Sequence, residues 1–269
     1  MRLAALITTI AAVTVGGTLT ASAAASSTLA SSPEVSSNWS GYAVTALSDT
    51  VPVTFSDVTG TWVEPRAACA TTSTTSAAFW VGLGGNDPAS AGLEQLGTSV
   101  DCNATGQAAY SAWWEIVPAA AVPIKLKIAP GDTITAAVVV NGQRTVMSLK
   151  DVSRGTRFTK TITTAQTLDV TSAEWIAEAP SECTSTGRCR VVPLTNFGKV
   201  TFTKAAAIGN GHPGTISDPL WNATPIELRS DSGFAFGRFA GTPTSSFDAI
   251  PTDLTADGRG FSVAAQTSG

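Results

Sequence analysis

From Trp39 onward the chain is made of short runs of alternating apolar and polar residues, broken every few positions by Gly, Pro, Asn or Asp. Successive side chains of a strand point to opposite faces, so a period of two dictates strands. No stretch keeps the 3.6-residue period of an amphipathic helix for more than two turns. Val122 to Ile128 sets Ile124, Leu126 and Ile128 on one face and Lys125 and Lys127 on the other. Pro130-Gly131-Asp132 turns the chain. Thr133 to Val140 is rich in β-branched residues, and Asn141-Gly142 is a strong hairpin signal before Thr145 to Leu149. Lys199 to Thr203 alternates again. Many short strands with frequent turns imply an all-β fold, an antiparallel sandwich or barrel. There is no repeat of fixed period and no internal linker, so one domain is the simpler organisation for 269 residues.

Charge sets a second limit. Charged residues make up 13% of the chain, about half the usual share of roughly 25%, and the formal charge is −4. So weak a charge gives nucleic acid or an anionic membrane nothing to hold, and neither is expected as a partner. Acid denaturation acts mainly by protonating carboxylates that are paired in the native state. A chain with few such pairs has little to lose at low pH.

Met1-Arg2 precedes an apolar run from Leu3 to about Val15, followed by Ala21-Ser22-Ala23. A positive start, an apolar middle and a small-x-small site form the layout of a secretory signal peptide over residues 1–23. The run is short of the roughly 20 apolar residues that a membrane span needs. The expectation is therefore a secreted, extracellular protein with no membrane contact after cleavage. Residues 24–35, rich in Ala, Ser and Thr, read as a flexible spacer or short propeptide, and residues 36–269 as the folded domain. Export makes the cysteines readable: Cys69, Cys102, Cys183 and Cys189 suggest two disulfides, with three possible connectivities. Cys183 and Cys189 flank a turn-like string and pair locally, and Cys69 with Cys102 follows by elimination. Their spacings match no usual zinc motif.

Several chemistries are excluded. The single histidine, His212, lies in the loop-like Gly211-His212-Pro213-Gly214 and would have to serve alone in any Ser-His or Cys-His machine. No G-x-S-x-G elbow occurs. Paired cysteines leave no thiol nucleophile, and a metal site of several histidines is impossible. Asp231-Ser232-Gly233 has the form of an aspartic-peptidase loop but occurs once, whereas that mechanism needs two carboxylates sharing a proton. Carboxylate, amide and water remain, with no metal and no cofactor expected.

Two strings carry that chemistry: Gly92-Leu93-Glu94-Gln95-Leu96-Gly97 and Ser172-Ala173-Glu174-Trp175-Ile176-Ala177-Glu178. As strands, the first sets Leu93, Gln95 and Gly97 on one face. The second sets Ala173, Trp175 and Ala177 against a core, and Glu174, Ile176 and Glu178 toward solvent or a groove, the two acids roughly 13 Å apart. Alone, two such glutamates usually mark a solvated face. They occur, however, in an ordered series: Ser37-Asn38-Trp39-Ser40-Gly41-Tyr42, Phe79-Trp80-Val81-Gly82-Leu83-Gly84-Gly85, Glu94-Gln95-Leu96-Gly97, Tyr110-Ser111-Ala112-Trp113-Trp114-Glu115 and Ala173-Glu174-Trp175-Ile176-Ala177-Glu178. Val191-Val192-Pro193-Leu194 and Phe197-Gly198-Lys199-Val200-Thr201-Phe202 follow. This series, from about Ser36 to about Ala207, resembles the glutamic peptidases, or eqolisins.

The resemblance implies a concanavalin-like jelly roll, an antiparallel β-sandwich of two large bent sheets with the active site on its concave face. It places the family's glutamine on Gln95 and its catalytic glutamate on Glu178 rather than Glu174. Trp39, Trp80, Trp113 and Glu115 fall on positions that line or support the cleft and bind substrate, while Trp114 and Trp175 alternate toward the core. Gly84 stands where the family often has an acidic residue, and residues 208–269 match poorly. Polypeptide substrates, a monomer and endopeptidase action in acid follow. Glu178 is then expected to stay ionised in acid through hydrogen bonds, take a proton from water and pass it to the leaving nitrogen, while Gln95 holds the oxyanion. Two rivals share this fold: a lectin-like binding sandwich, and a glycoside hydrolase using two of Glu94, Glu115, Glu174 and Glu178. The sequons at Asn38, Asn103 and Asn222 acquire meaning only in a glycosylating host.

Overall fold

The computed structural model describes residues 32–87, 90, 92–183, 189–230 and 247–267. The expected signal peptide at 1–23, the start of the expected spacer and Asp231-Ser232-Gly233 lie outside the described residues. Among those described there are strands and no helices, as the period-two pattern requires. They are β1 Glu34–Ser36, β2 Trp39–Ala46, β3 Phe55–Val63, β4 Thr75–Leu83, β5 Leu93–Cys102 and β6 Ala108–Val117. Next come β7 Val122–Ile124, β8 Thr133–Asn141, β9 Arg144–Asp151, β10 Thr156–Thr163, β11 Ser172–Glu178 and β12 Ser181–Cys183. The last are β13 Cys189–Val191, β14 Lys199–Gly209, β15 His212–Gly214, β16 Trp221–Leu228, β17 Phe247–Pro251 and β18 Phe261–Thr267.

The strands form one long antiparallel path, β10-β9-β8-β3-β14-β18-β17-β16-β2-β11-β4-β5-β6-β7. The path doubles back on itself: β11 packs on β3 and β14, β4 on β3 and β8, and β5 on β8 and β9, none of them hydrogen-bonded neighbours. The two layers of the expected sandwich are thus halves of one nearly closed sheet, carried round through β18, β17 and β16. Pairing begins before the expected boundary, because β1 adds to β16 in parallel from Glu34 onward. The Asn141-Gly142 hairpin joins β8 to β9, with Gly142 at φ 58°. The strand expected over Val122 to Ile128 stops at Ile124, yet Ile124 and Ile128 are buried and Leu126 packs on the core.

Trp62, Phe79, Trp175 and Phe202 fill the space between the layers, all fully buried. Trp175 reaches across and donates its indole N–H to the Thr59 carbonyl at 2.8 Å. Gly60 makes this approach possible, since a Cβ there would lie 2.9 Å from Trp175 Cδ1. Glu64, at the end of β3, is buried with them. Its Oε2 accepts from Thr98 Oγ1 at 2.5 Å and Trp62 Nε1 at 3.4 Å. Burial nevertheless outweighs these bonds and pushes its carboxyl up to about 7.

Cys69 and Cys102 are joined across 33 residues, tying the loop before β4 to the end of β5. Cys189 is disulfide-bonded and faces Cys183 in the β12–β13 register; the side chain of Cys183 lies outside the described residues. Opening a loop of this size releases chain entropy in the unfolded state. The Cys69→Ser/Cys102→Ser variant should therefore lose about 2–4 kcal/mol of unfolding free energy in denaturant titration. An unchanged midpoint would show that the bridge is incidental.

Candidate active site

Five neighbouring strands, β2, β11, β4, β5 and β6, carry every residue of the expected site. Cross-strand partners share a face, so the register sorts them. Gln95 stands between Gly82 and Glu115. Glu178 stands between Trp39 and Ala78. Trp80 and Trp113 lie in the row between, opposite Gly97. Gln95, Glu178, Trp39, Trp80, Trp113 and Glu115 therefore all project from one face. Trp175 and Trp114 project from the other and belong to the inter-layer core.

Gln95 and Glu178 line one cavity of ≈ 190 Å³, together with Trp39, Trp113, Glu115 and Asn38. Their rows lie four residues apart on β4, and Trp80 spans the interval. Its Nε1 donates to Glu178 Oε2 at 2.7 Å. The other end of its ring lies over Gly82, where a Cβ would meet Trp80 Cζ3 at 2.9 Å and Gln95 Cβ at 3.2 Å. Gly97 is needed too, because a Cβ there would come within 2.1 Å of the Phe79 carbonyl oxygen. Trp39 packs edge-on against Trp80, centroids 5.0 Å apart. Trp80 is itself fully buried, so it positions Glu178 from beneath and does not line the cavity.

Gln95 Nε2 donates to Glu115 Oε2 at 2.6 Å. This bond fixes the amide: one N–H is held by Glu115, the second stays available, and the buried Oε1 has no partner. Trp113 Nε1, also in the cavity wall, is a second unpartnered buried donor. The pocket thus offers amide and indole donors and an amide acceptor beside two carboxyl groups.

The protonation of Glu178 differs from the expectation. Burial pushes its carboxyl up to about 8; the Trp80 hydrogen bond opposes this, nearby Glu115 adds to it, and Trp39 and Asn38 offset part. The anticipated hydrogen bonds exist, but desolvation exceeds them, and Glu178 rests as the neutral acid throughout the acid range. Burial raises Glu115 as well, against the Gln95 bond.

Of the rival glutamates, Glu94 and Glu174 are fully buried and do not line this cavity. His212 holds Asp218 at 2.9 Å on β15, outside it. Among the described residues no group of three or more His, Cys, Asp or Glu is placed to hold a metal ion. Sequence reasoning gave Asn38 no chemical part, although it lines the cavity next to Trp39 in a motif already singled out. It also missed Asp169, which belongs to no motif. This side chain occupies the space beside Gly84, the position where an acidic residue was absent.

A family model described as the Peptidase A4 family matches residues 37–235. Compared by sequence alone with curated proteins, the chain finds no match. Among solved structures it is similar to scytalido-glutamic peptidase bound to a peptide-based transition-state analogue, with TM-score 0.65 and 23% identity over 86% of this chain and 98% of that one. It is similar to SCP-B, an eqolisin in complex with the tripeptide Ala-Ile-His, with TM-score 0.61 and 23% identity over 86% and 98%. Aspergilloglutamic peptidase from Aspergillus niger gives TM-score 0.54 and 24% identity over 71% and 99%. These likenesses establish the fold.

The Trp80 contact yields a direct test. Trp80→Phe keeps a ring but removes the N–H that favours the ionised carboxylate, so the Glu178 carboxyl should titrate still higher, as read by carbon-13 NMR. A titration at the wild-type position would mean that the contact does not reach the charge.

Proposed function

Because this chain belongs to the Peptidase A4 family, we propose that it is a secreted acid endopeptidase in which Glu178 and Gln95 act together on one water and one peptide carbonyl. The observation that carries this reading is their shared cavity, with Glu178 held by Trp80 and Gln95 held by Glu115.

The mechanism follows from the protonation of Glu178. The neutral carboxylic acid has a proton on one oxygen and a lone pair on the other. It gives its proton to the substrate carbonyl oxygen while taking one from the attacking water, and emerges neutral beside a tetrahedral diol. It then gives a proton to the leaving nitrogen and recovers one from a diol hydroxyl as the C–N bond breaks. The second N–H of Gln95 donates to the oxygen that gains electron density, and its Oε1 accepts from the water. Proton count balances at each step, with no covalent intermediate. Glu115 orients the amide and, by its proximity, helps to keep Glu178 neutral. Trp39 and Trp113 offer flat apolar surface to an extended polypeptide.

A glycosidase reading retains only Glu115 and Glu178 in the cavity, and Gln95 holds the first of them. The family assignment favours peptide hydrolysis over that reading and over a sugar-binding sandwich.

The test uses the mature chain with casein as substrate in acid. Gln95→Ala should lower kcat by about 10²–10³-fold, the usual loss for an oxyanion donor. Glu178→Gln should abolish cleavage, and both variants should keep the wild-type β circular dichroism. With neutral Glu178 as the working form, activity of the folded enzyme falls as pH rises through about 8. Retained proteolysis in Glu178→Gln would reject the assignment.

A further inference from the structure

A second group of carboxyls lies at the Gly84 end of the same strands, outside the cavity. Asp169 precedes β11 and fills the space over Gly84, where φ is +82° and a Cβ would lie 2.5 Å from the Asp169 carbonyl oxygen. Its carboxylate accepts from the Gly85 N–H at 2.9 Å, the Ser90 hydroxyl, the Thr171 N–H at 2.9 Å and the Thr171 hydroxyl at 2.6 Å. One side chain thereby pins the segment feeding β5, the strand of Gln95, to the segment feeding β11, the strand of Glu178. Glu94 Oε1 reaches the same corner: a Cβ on Gly92 would lie 3.3 Å from Asp169 Cβ and 3.7 Å from Glu94 Oε1, and the Asp169 charge acts on both Glu94 and Glu174, each 0% exposed. None of their four carboxyl oxygens has a hydrogen-bond partner.

The facing strands bury no cation against Glu94 and Glu174: Arg144 and Lys150 of β9 and Lys199 and Lys204 of β14 are exposed, Asp151 of β9 pairs with Arg154, and β3 adds only Asp57, raised by its own burial. β2, β4, β5, β6 and β11 contain no Lys and no Arg. β4 brings no titratable group to β11, and β2 brings only Tyr42, in the inter-layer core, whose hydroxyl is pushed up to about 12. β6 sets Ile116 against Glu94, while its Glu115 lines the cleft. Asp87, on the loop, is exposed.

We propose that Asp169, Glu94 and Glu174 form a carboxyl cluster that ties the strand of Gln95 to the strand of Glu178, and that the tie holds only in acid. Neutral Glu94 and Glu174 can lie buried beside an ionised Asp169; two further buried anions without a cation cannot. Burial and the Asp169 charge push Glu94 up to about 8. Burial first, then Asp169 and Glu94, hold Glu174 well above its ordinary value, with the nearby Ser172 hydroxyl offsetting part short of a formed hydrogen bond. Groups raised in this way stabilise the fold fully below the unfolded value of 4.5 and lose that contribution as pH climbs toward 8. Asp169 runs the other way. Its hydrogen bonds outweigh its burial and hold it below 3.8, so its contribution disappears only as pH falls further. The cluster is therefore an off-switch for rising pH, and it goes beyond the reaction proposed above without depending on it.

The experiment is amide hydrogen exchange on the full chain between about pH 3 and 8, corrected for intrinsic rates, in a Glu178→Gln background. That background removes self-digestion and the titration of Glu178. Protection in β5 and β11 should fall about tenfold or more as pH rises through roughly 5 to 8, while β8 and β9 change less. The added pair Glu94→Gln/Glu174→Gln should flatten the β5 and β11 response, leaving the dependence due to Glu64 across the core. Equal loss in both layers overturns the proposal, as does a double variant as pH-sensitive as its parent. If the double variant does not fold, the pattern in the parent decides alone.

Discussion

The indole N–H of Trp80 against the carboxyl of Glu178 is the contact on which the cleft depends. Register alone sets Gln95 and Glu178 in rows four residues apart, roughly 13 Å along a strand. A ring lying along β4 closes that interval, and it can lie there only because Gly82 and Gly97 carry no side chain. The small residues in Trp-Val-Gly and Glu-Gln-Leu-Gly are thus as much part of the site as the acid and the amide. Glu115 performs the matching task for Gln95, fixing which end of the amide is spent and which is free.

The same five strands hold four glutamates and no cation. Glu94 and Glu174 are fully buried, and such groups remain neutral or become very costly. Low charge content is therefore more than tolerance of acid. Ion pairs among the described residues, such as Arg154 with Asp132 and Arg229 with Glu227, lie on other elements. On the reading proposed above, the layer of Gln95 and Glu178 instead depends on protonated carboxyls, so acid is the condition under which it is electrostatically whole.

Much of this was legible in the residues. Period-two alternation fixed the fold class, and the Ala173/Trp175/Ala177 alternation correctly sent Trp175 inward and Glu178 toward the cleft. Ordered motifs brought Gln95 and Glu178 to one cavity, though the fold turned out as a single sheet doubled over, because hydrogen-bond continuity round a corner leaves no local signal. The raised Glu178 carboxyl has no local signal for a related reason. A hydrogen-bond donor can be guessed from a neighbouring Trp, but desolvation is a property of the packed layers. Glu174 looked solvent-facing by alternation and is fully buried because the layer is covered on that side too. Asp169 was invisible, since only three-dimensional proximity brings it to Gly84.

The central claim is that one carboxylic acid and one carboxamide grip the same tetrahedral carbon. Its most direct test is a crystal structure in acid with a peptide whose scissile carbonyl is replaced by a hydrated ketone. The account predicts one diol oxygen within hydrogen-bond distance of Gln95 Nε2 and both diol oxygens in reach of the Glu178 carboxyl. A diol bound with either residue out of contact would contradict it.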